Sequence, residues 1–488
     1  MKNINNLLQI VSIAIVLFSL NGCSSADGTK NAKDALSSFL NKNDNVVAFG
    51  NANLKGIMTK SDYQNIPKFG KILTGEMKTL EEMIDFDSPM YYALEGPLAN
   101  GTGPETTYGF LQIKDSDKLV KKMTRDGFDF TKVKNINFTE DGDFALGLTE
   151  SMAIVISKSG QFDGEKLIVK AFDQIKGKSS GGKIDEILAQ EGDVVLGMNV
   201  SSLYSTSDKS SSGLSVAKQK EIEELVSDSY VQTVFKFEDG AGIIESKNYF
   251  SSELEEQLFF KSDNSAPILA QLGSGNARLG ISLNLDMQKM QNFLNDYSPE
   301  AIDELGNALG PVFQGAMMLS GKKGLSAFLD GRIGAVMIGD PGANGSMIPD
   351  FNAFVGMTKK GQDLAAMAED MDFGFGQLNL NDGGVSMSSN ENLSSASKGN
   401  NLVLPDGCKD FGKSGISAFV NLDGLDMDEF DLEGEQNILK IIKYVTFDYD
   451  ENGGRLYIKA KKGQDNVLKQ AMDVLVKELS SEINSLGN

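Results

Sequence analysis

The chain has no histidine and no tryptophan among its 488 residues, and only two cysteines, Cys23 and Cys408. Without histidine there is no Ser-His-Asp or Cys-His nucleophile pair and no His-ligated zinc. Nor is there a side chain whose ordinary pKa makes it a base at neutral pH. Without tryptophan, a sugar-stacking platform falls to the eleven tyrosines, which replace it only in part. Positive charge is also short: 46 Lys and Arg stand against 68 Asp and Glu, a net of −22. That balance opposes nucleic acid and electrostatic adhesion to anionic lipid, and favours solubility in a crowded compartment. These absences predict no cofactor, no metal, no nucleotide and no nucleic-acid partner.

What is present begins at the N-terminus. Lys2 supplies a positive charge, and residues 7–20 form an apolar run interrupted only by Gln9, Ser12 and Ser19. At ~1.5 Å per residue the run is too short to span a bilayer as a helix, so it reads as a signal peptide over residues 1–22. Its end, Leu20-Asn21-Gly22-Cys23, resembles the lipobox of bacterial lipoproteins, which are cut before the cysteine and lipidated on its sulfur. The resemblance implies a diacylglycerol thioether and an N-acyl chain on Cys23, which makes membrane lipid a partner. Several chains contributing ~0.8 kcal/mol per buried methylene hold firmly where a single chain is marginal. Ser24 and Ser25 follow without an acidic residue, which by analogy points to the outer membrane, with either leaflet open. Residues 23–34 read as a tether between lipid and folded body. Losing residues 1–22 removes Lys2 and no acid, leaving 45 basic against 68 acidic residues, a net of −23. With Cys23 acylated, Cys408 has no disulfide partner in the chain.

The remaining length exceeds one hydrophobic core, so two or more domains are expected. An apolar run ending in Asn plus an aliphatic residue recurs four times, at Asn53-Leu54, Asn199-Val200, Asn284-Leu285 and Asn421-Leu422. The pentapeptide Lys-Lys-Gly-Gln-Asp occurs at 359–363 and again at 461–465, each time between a strand-like run and an apolar-periodic one. Asp363 and Asp465 therefore read as N-caps. The offsets between paired units, 231 residues from Asn53 to Asn284 and 222 from Asn199 to Asn421, predict a tandem duplication. Its halves are 35–275 and 276–488. Turns at 238–240, 140–142 and 451–454 sit between alternating runs, as hairpins require. In Tyr444-Val445-Thr446-Phe447-Asp448-Tyr449 the alternation reads as a strand with Tyr444, Thr446 and Asp448 outward and the apolar set inward. The C-terminal helix carries Val467, Leu468, Ala471, Leu475 and Leu479 on one stripe. Segments 177–182, 205–215 and 386–401 read as loops. The expected fold is α+β: two duplicated halves of antiparallel sheet with helices packed on one face.

Three motifs tempt and fail. Residues 407–414 spell the phosphate-loop pattern, but that chemistry needs a helix after the loop, and 415–420 reads as a strand. Residues 448–453 open like an EF-hand, yet position twelve is Lys459 where a bidentate glutamate is needed. Residues 177–181 spell a nucleophile elbow with no histidine to activate Ser179. The acidic stretch 423–435 holds enough carboxylates for a weak calcium site, although a solvated loop explains it as well.

The lipobox, the strand entering Asn53-Leu54-Lys55 and the following Ile57-Met58-Thr59-Lys60 together resemble Bacteroidota lipoproteins of domain-of-unknown-function family 4836. The resemblance covers nearly all the mature chain. It implies location and architecture and adds no catalytic residue. The function expected is a non-enzymatic envelope lipoprotein, structural or binding a protein partner. The alternative is a surface module for a small molecule or glycan, which would show clustered aromatic rings in a concavity. A hydrolase built on an acid pair would need two carboxylates converging ~5–10 Å apart, and no spacing singles out such a pair.

Overall fold

The computed structural model describes residues 31–66, 70–96, 104–158, 160, 162–177, 181–207, 214–262, 267–298, 321–339, 350–366, 377–381, 383–389, 401–425 and 436–486. The fold is α+β, and every strand pairing within its two main sheets is antiparallel. Contacts divide the chain into two units. The first takes residues up to 213, 221–250 and 464–488; the second takes 214–220 and 251–463.

The first unit's strands are β1 (Val46–Ala52), β2 (Met90–Glu95), β3 (Thr106–Gln112), β4 (Thr131–Val133), β5 (Ile136–Asp141), β6 (Phe144–Leu148), β7 (Met152–Lys158), β8 (Val194–Asn199), β9 (Tyr230–Glu238) and β10 (Ala241–Tyr249). They lie in the order β4-β5-β6-β7-β3-β2-β1-β8-β9-β10. Alternate residues of β7 go to different cores: Ile154 and Ile156 to one, Ala153 and Val155 to the other. On the first side lies the helix Ala32–Leu40, whose Ala32, Ala35, Leu36, Phe39 and Leu40 repeat at helical spacing and are all buried. Asn31 caps it by accepting from the Asp34 N–H at 2.8 Å. On the second side Met77 and Leu80 of helix Gly70–Glu81 meet Leu119 and Met123 of helix Ser116–Arg125. Where the sequence predicts helices on one face, this sheet has them on both. Helix Ala32–Leu40 also begins inside the stretch expected to be tether.

The second unit holds β11 (Ser274–Asn284), β12 (Leu329–Ile338), β13 (Asp350–Met357), β14 (Gln377–Asn381), β15 (Gly384–Ser388), β16 (Asn401–Val403), β17 (Ile416–Asn421), β18 (Ile442–Asp450) and β19 (Gly453–Ala460). Their order is β14-β15-β13-β12-β11-β17-β18-β19, with the short β16 parallel to the start of β11. Each sheet thus has two of the four Asn-ended strands paired at its middle, β1 with β8 and β11 with β17. From that pair, β2 and β3 run outward on one side and β9 and β10 on the other. The second sheet repeats the path with β12 and β13, and with β18 and β19.

Unit boundaries differ from the expected 275/276 division. Segment 258–262 joins the second unit because Phe259 O accepts from Asp286 N and Lys261 N donates to Asn284 O. Helix Val467–Leu486 joins the first, because Gly240 N donates to Asp465 O and Asn466 Nδ2 to Phe237 O, at 2.8 and 2.9 Å. Its orientation also departs from the expected stripe. Leu475 is 40% exposed, while Gln470 is buried and donates to Asp465 O.

The two copies of Lys-Lys-Gly-Gln-Asp have different structures. Residues 359–363 open the helix Lys359–Ala366, whose first turn is held by the Thr358 hydroxyl accepting from Gly361 N at 3.2 Å. Residues 461–465 form a turn, and Asn466 caps the helix after it by accepting from Leu468 N at 3.0 Å. Neither Asp363 nor Asp465 is the N-cap. The cap falls to whichever polar residue has an extended backbone just ahead of the first turn, and this is decided outside the shared five residues.

Candidate functional site

The two faces of the second sheet differ in what they carry. On one side Gly280, Ser282, Phe419, Thr446, Asp448, Arg455 and Tyr457 alternate with the residues of the other side. This side is covered by a core containing Ile268, Leu272, Cys408 and Phe411. Phe411 meets Phe419 edge-on at 5.0 Å, and the two rings form the floor of a cavity of about 280 Å³. Its walls are Tyr444 and Tyr457, whose ring centroids lie 6.0 Å apart, and its polar groups include Asp410, Asp448, Thr446 and Arg455. The Arg455 guanidinium lies 5.4 Å from the Tyr457 ring centre. Gly407, at φ +94°, lets Tyr444 approach, since a Cβ there would stand 2.3 Å from Tyr444 Oη.

Register puts four polar residues in one row across four strands: Ser282 opposite Ser417, Ser417 opposite Asp448, Asp448 opposite Arg455. Both serines are essentially inaccessible, 0% and 1% exposed, and neither hydroxyl makes a hydrogen bond of normal geometry. Burial raises the pKa of Asp448. Ser417 pulls it back, Asp410 adds to the rise, and Arg455 and Ser414 favour the charged form. The Cys408 thiol, 3% exposed, is pushed up to about 12 by burial and by Asp448, which keeps it protonated at neutral pH.

The opposite face is apolar and, among the described residues, partly exposed. Leu279 and Ile281 of β11 are 37% and 46% exposed, and Val420 of β17, paired with Leu279, is 37% exposed. Val445 pairs with Val420 and Phe447 with Ala418, which extends the same surface half-buried onto β18. Phe260 closes one end, edge-on to Tyr449 at 5.8 Å and 4.8 Å from Phe259. This corrects the direction read from the β18 alternation. The polar set faces the cavity, with Tyr444 buried, and the apolar set shares the open face. Alternation separates the faces of a strand without saying which one is covered.

The motifs read from sequence fall as follows. Residues 407–415 are turns leading into β17, so no helix N-terminus follows the phosphate-loop spelling. Residues 450–453 turn the β18-β19 hairpin, with Asp450 accepting from Asn452 N at 2.9 Å. Gly181 and Gly182 lead into helix Gly182–Leu188, while 178–180 lie outside the described residues. Of the acidic stretch, only 423–425 is described, and Asp423 there pairs with Lys443 at 3.5 Å. Cys23 and the signal peptide lie outside the described residues, as do parts of the 205–215 and 386–401 segments. The Asn-aliphatic motif does two jobs. Asn53 and Asn199 cap helices, whereas the Asn284 side chain donates to Gly412 O and Ser414 O and Asp286 takes over the cap.

A larger groove of about 610 Å³ in the first unit runs beside helix Ser116–Arg125 and is lined by Glu82, Lys118, Lys121 and Arg125. Lys118 there lies within 3.8 Å of Glu82 and 3.7 Å of Asp115. Its charged groups are on the surface, where such pairs hold little free energy. Among the described residues no helix is long and apolar enough to cross a membrane.

No protein family and no curated protein matches this chain. Among solved structures, crystal form I of TP0453 is 10% identical, with 46% of this chain and 81% of that one covered and a TM-score of 0.28. Crystal form IV of TP0453 is also 10% identical, over 42% and 76%, with a TM-score of 0.26. Likeness at that level carries no argument for fold or function.

Proposed function

We propose that this protein is a lipid-anchored component of the cell envelope that works without catalysis, by binding a second envelope protein on the open face of its second sheet. The observation behind this reading is the aliphatic strip of Leu279, Ile281 and Val420 on two neighbouring central strands. A water-facing side of an antiparallel sheet normally carries polar side chains. Aliphatic groups left in water forgo about 25 cal/mol per Å² that a partner's surface would recover. A second copy of the chain is a poor occupant, because each brings a net charge near −22 and the two repel. The partner that fits has an apolar centre with a basic rim. Anchoring is through acylated Cys23, in the outer membrane, and we attribute the shared strand path of the two sheets to the tandem duplication read from the sequence.

Crosslinking and affinity recovery from intact envelopes, comparing the parent with Leu279→Glu and Ile281→Lys, tests the reading. A companion that depends on this strip should fall at least about tenfold in both variants, with unchanged melting temperature and greater loss at high salt. Equal recovery by parent and variants, or no reproducible companion of the parent, overturns it.

A further inference from the structure

The cavity on the covered face of the second sheet is independent of that strip and lies on the other side of β17 and β18. Its size is near the lower end of the ~300–1,000 Å³ range of small-molecule pockets, enough for a single ring. Its charges are internally balanced. Asp448 stands opposite Arg455 in the ladder, and Asp410 is paired with Lys413 at 2.7 Å. A cationic ligand would meet the Arg455 guanidinium, and an anionic one would meet two carboxylates. A neutral ligand meets neither penalty.

The rest of the lining asks for hydroxyl groups on a partly apolar frame. Asp448 and Asp410 accept, Arg455 donates, and Tyr444, Tyr457 and Thr446 can do either, all around the Phe411-Phe419 floor. Behind Asp448 in the same row lie the buried hydroxyls of Ser417, which favours the charged form of Asp448, and of Ser282. Tilted aromatic walls beside mixed donors and acceptors suit the alternating C–H and O–H faces of a pyranose.

We propose that this cavity binds one neutral sugar ring, either a free monosaccharide or the end residue of a glycan. Tyr457 and the Phe411-Phe419 floor take the apolar face of the ring. Asp448 and Arg455 fix its hydroxyls as a paired acceptor and donor.

Saturation-transfer NMR on the mature chain tests this with glucose, galactose, mannose and N-acetylglucosamine, each as monosaccharide and as the end residue of a short oligosaccharide. Glucosamine and sialic acid serve as charged probes. Transfer to at least one neutral sugar is expected, with both charged probes weaker. Binding should weaken about tenfold or more in Tyr457→Ala and in Asp448→Asn, while Leu279→Glu on the opposite face leaves it unchanged. Asp448→Asn removes a half-buried charge and serves as the variant expected to stay folded. Preference for the oligosaccharide arm identifies a glycan end, and equal binding in both arms identifies a free sugar. No transfer to any neutral sugar at ~10 mM, well above the ~1 mM affinity of a weak ligand, overturns the proposal. Stronger binding of a charged probe, or binding unaffected by both cavity variants, does so equally.

Discussion

At Asp448 burial and chemistry pull against each other. The carboxyl is half-buried and its pKa is raised mainly by desolvation, against the help of Ser417 and Arg455. The sign of the consequence follows from linkage. An acid whose folded pKa exceeds its unfolded value costs stability while both forms are ionised, and that cost is relieved as pH falls through the folded pKa. Between pH ~7 and the ordinary aspartate range near ~4, Asp448 therefore contributes rising stability as the solution is acidified. Asp448→Asn should melt higher than the parent at neutral pH, with the difference shrinking toward acid. Calorimetric melts of both chains across that range check it, and parallel curves would contradict it. At Cys408 the rise in the thiol's pKa was not legible, because it comes from the segments packed over it and from Asp448. Ser282 and Ser417 gave no signal in sequence, since single serines in alternating runs read as solvent-facing. Only the register places them in a row with Asp448 and Arg455.

Helix starts show how far local sequence reaches at the scale of elements. Asp115, Asp163 and Ser251 cap their helices as their types suggest, each accepting from the N–H three residues on. The twin pentapeptides mislead because capping needs an extended backbone as well as a polar side chain, and that backbone is set by the strand before and the packing after. Thr358→Ala should cost about 1 kcal/mol of stability and Asn466→Ala a similar amount. Asp363→Ala removes only an exposed pair with Lys359, 2.8 Å long, and should cost ~0.5 kcal/mol or less. Urea unfolding of the three variants separates them, and an Asp363→Ala loss equal to that of Thr358→Ala would restore the sequence-based cap. Hairpins were more legible than caps. Asp141-Gly142 and Asp239-Gly240 turn β5 into β6 and β9 into β10, because the glycine at positive φ is a local requirement. Which way each strand faced was less legible, as β18 shows, because alternation has two solutions of equal local energy.

For the whole molecule, the first 23 residues are expected to govern location and the rest to govern binding. Cys23→Ala, or globomycin treatment of the parent, should abolish labelled-palmitate incorporation and move the protein out of the membrane fraction. Unchanged incorporation and fractionation would remove the anchor from the account. Composition and short-range pattern by themselves determined the exclusion of histidine chemistry, the acidic balance, the α+β class and the antiparallel hairpins, because each depends on residue type or on neighbours a few positions apart. Only the tertiary structure decided that the closing helix belongs to the first unit. It alone set the polar face of β18 over a cavity and left an aliphatic strip open on the reverse side. Those outcomes depend on pairings between residues more than a hundred positions apart, such as Ser282 with Ser417 and Phe237 with Asn466, which are chosen by global packing and leave no mark on either segment alone.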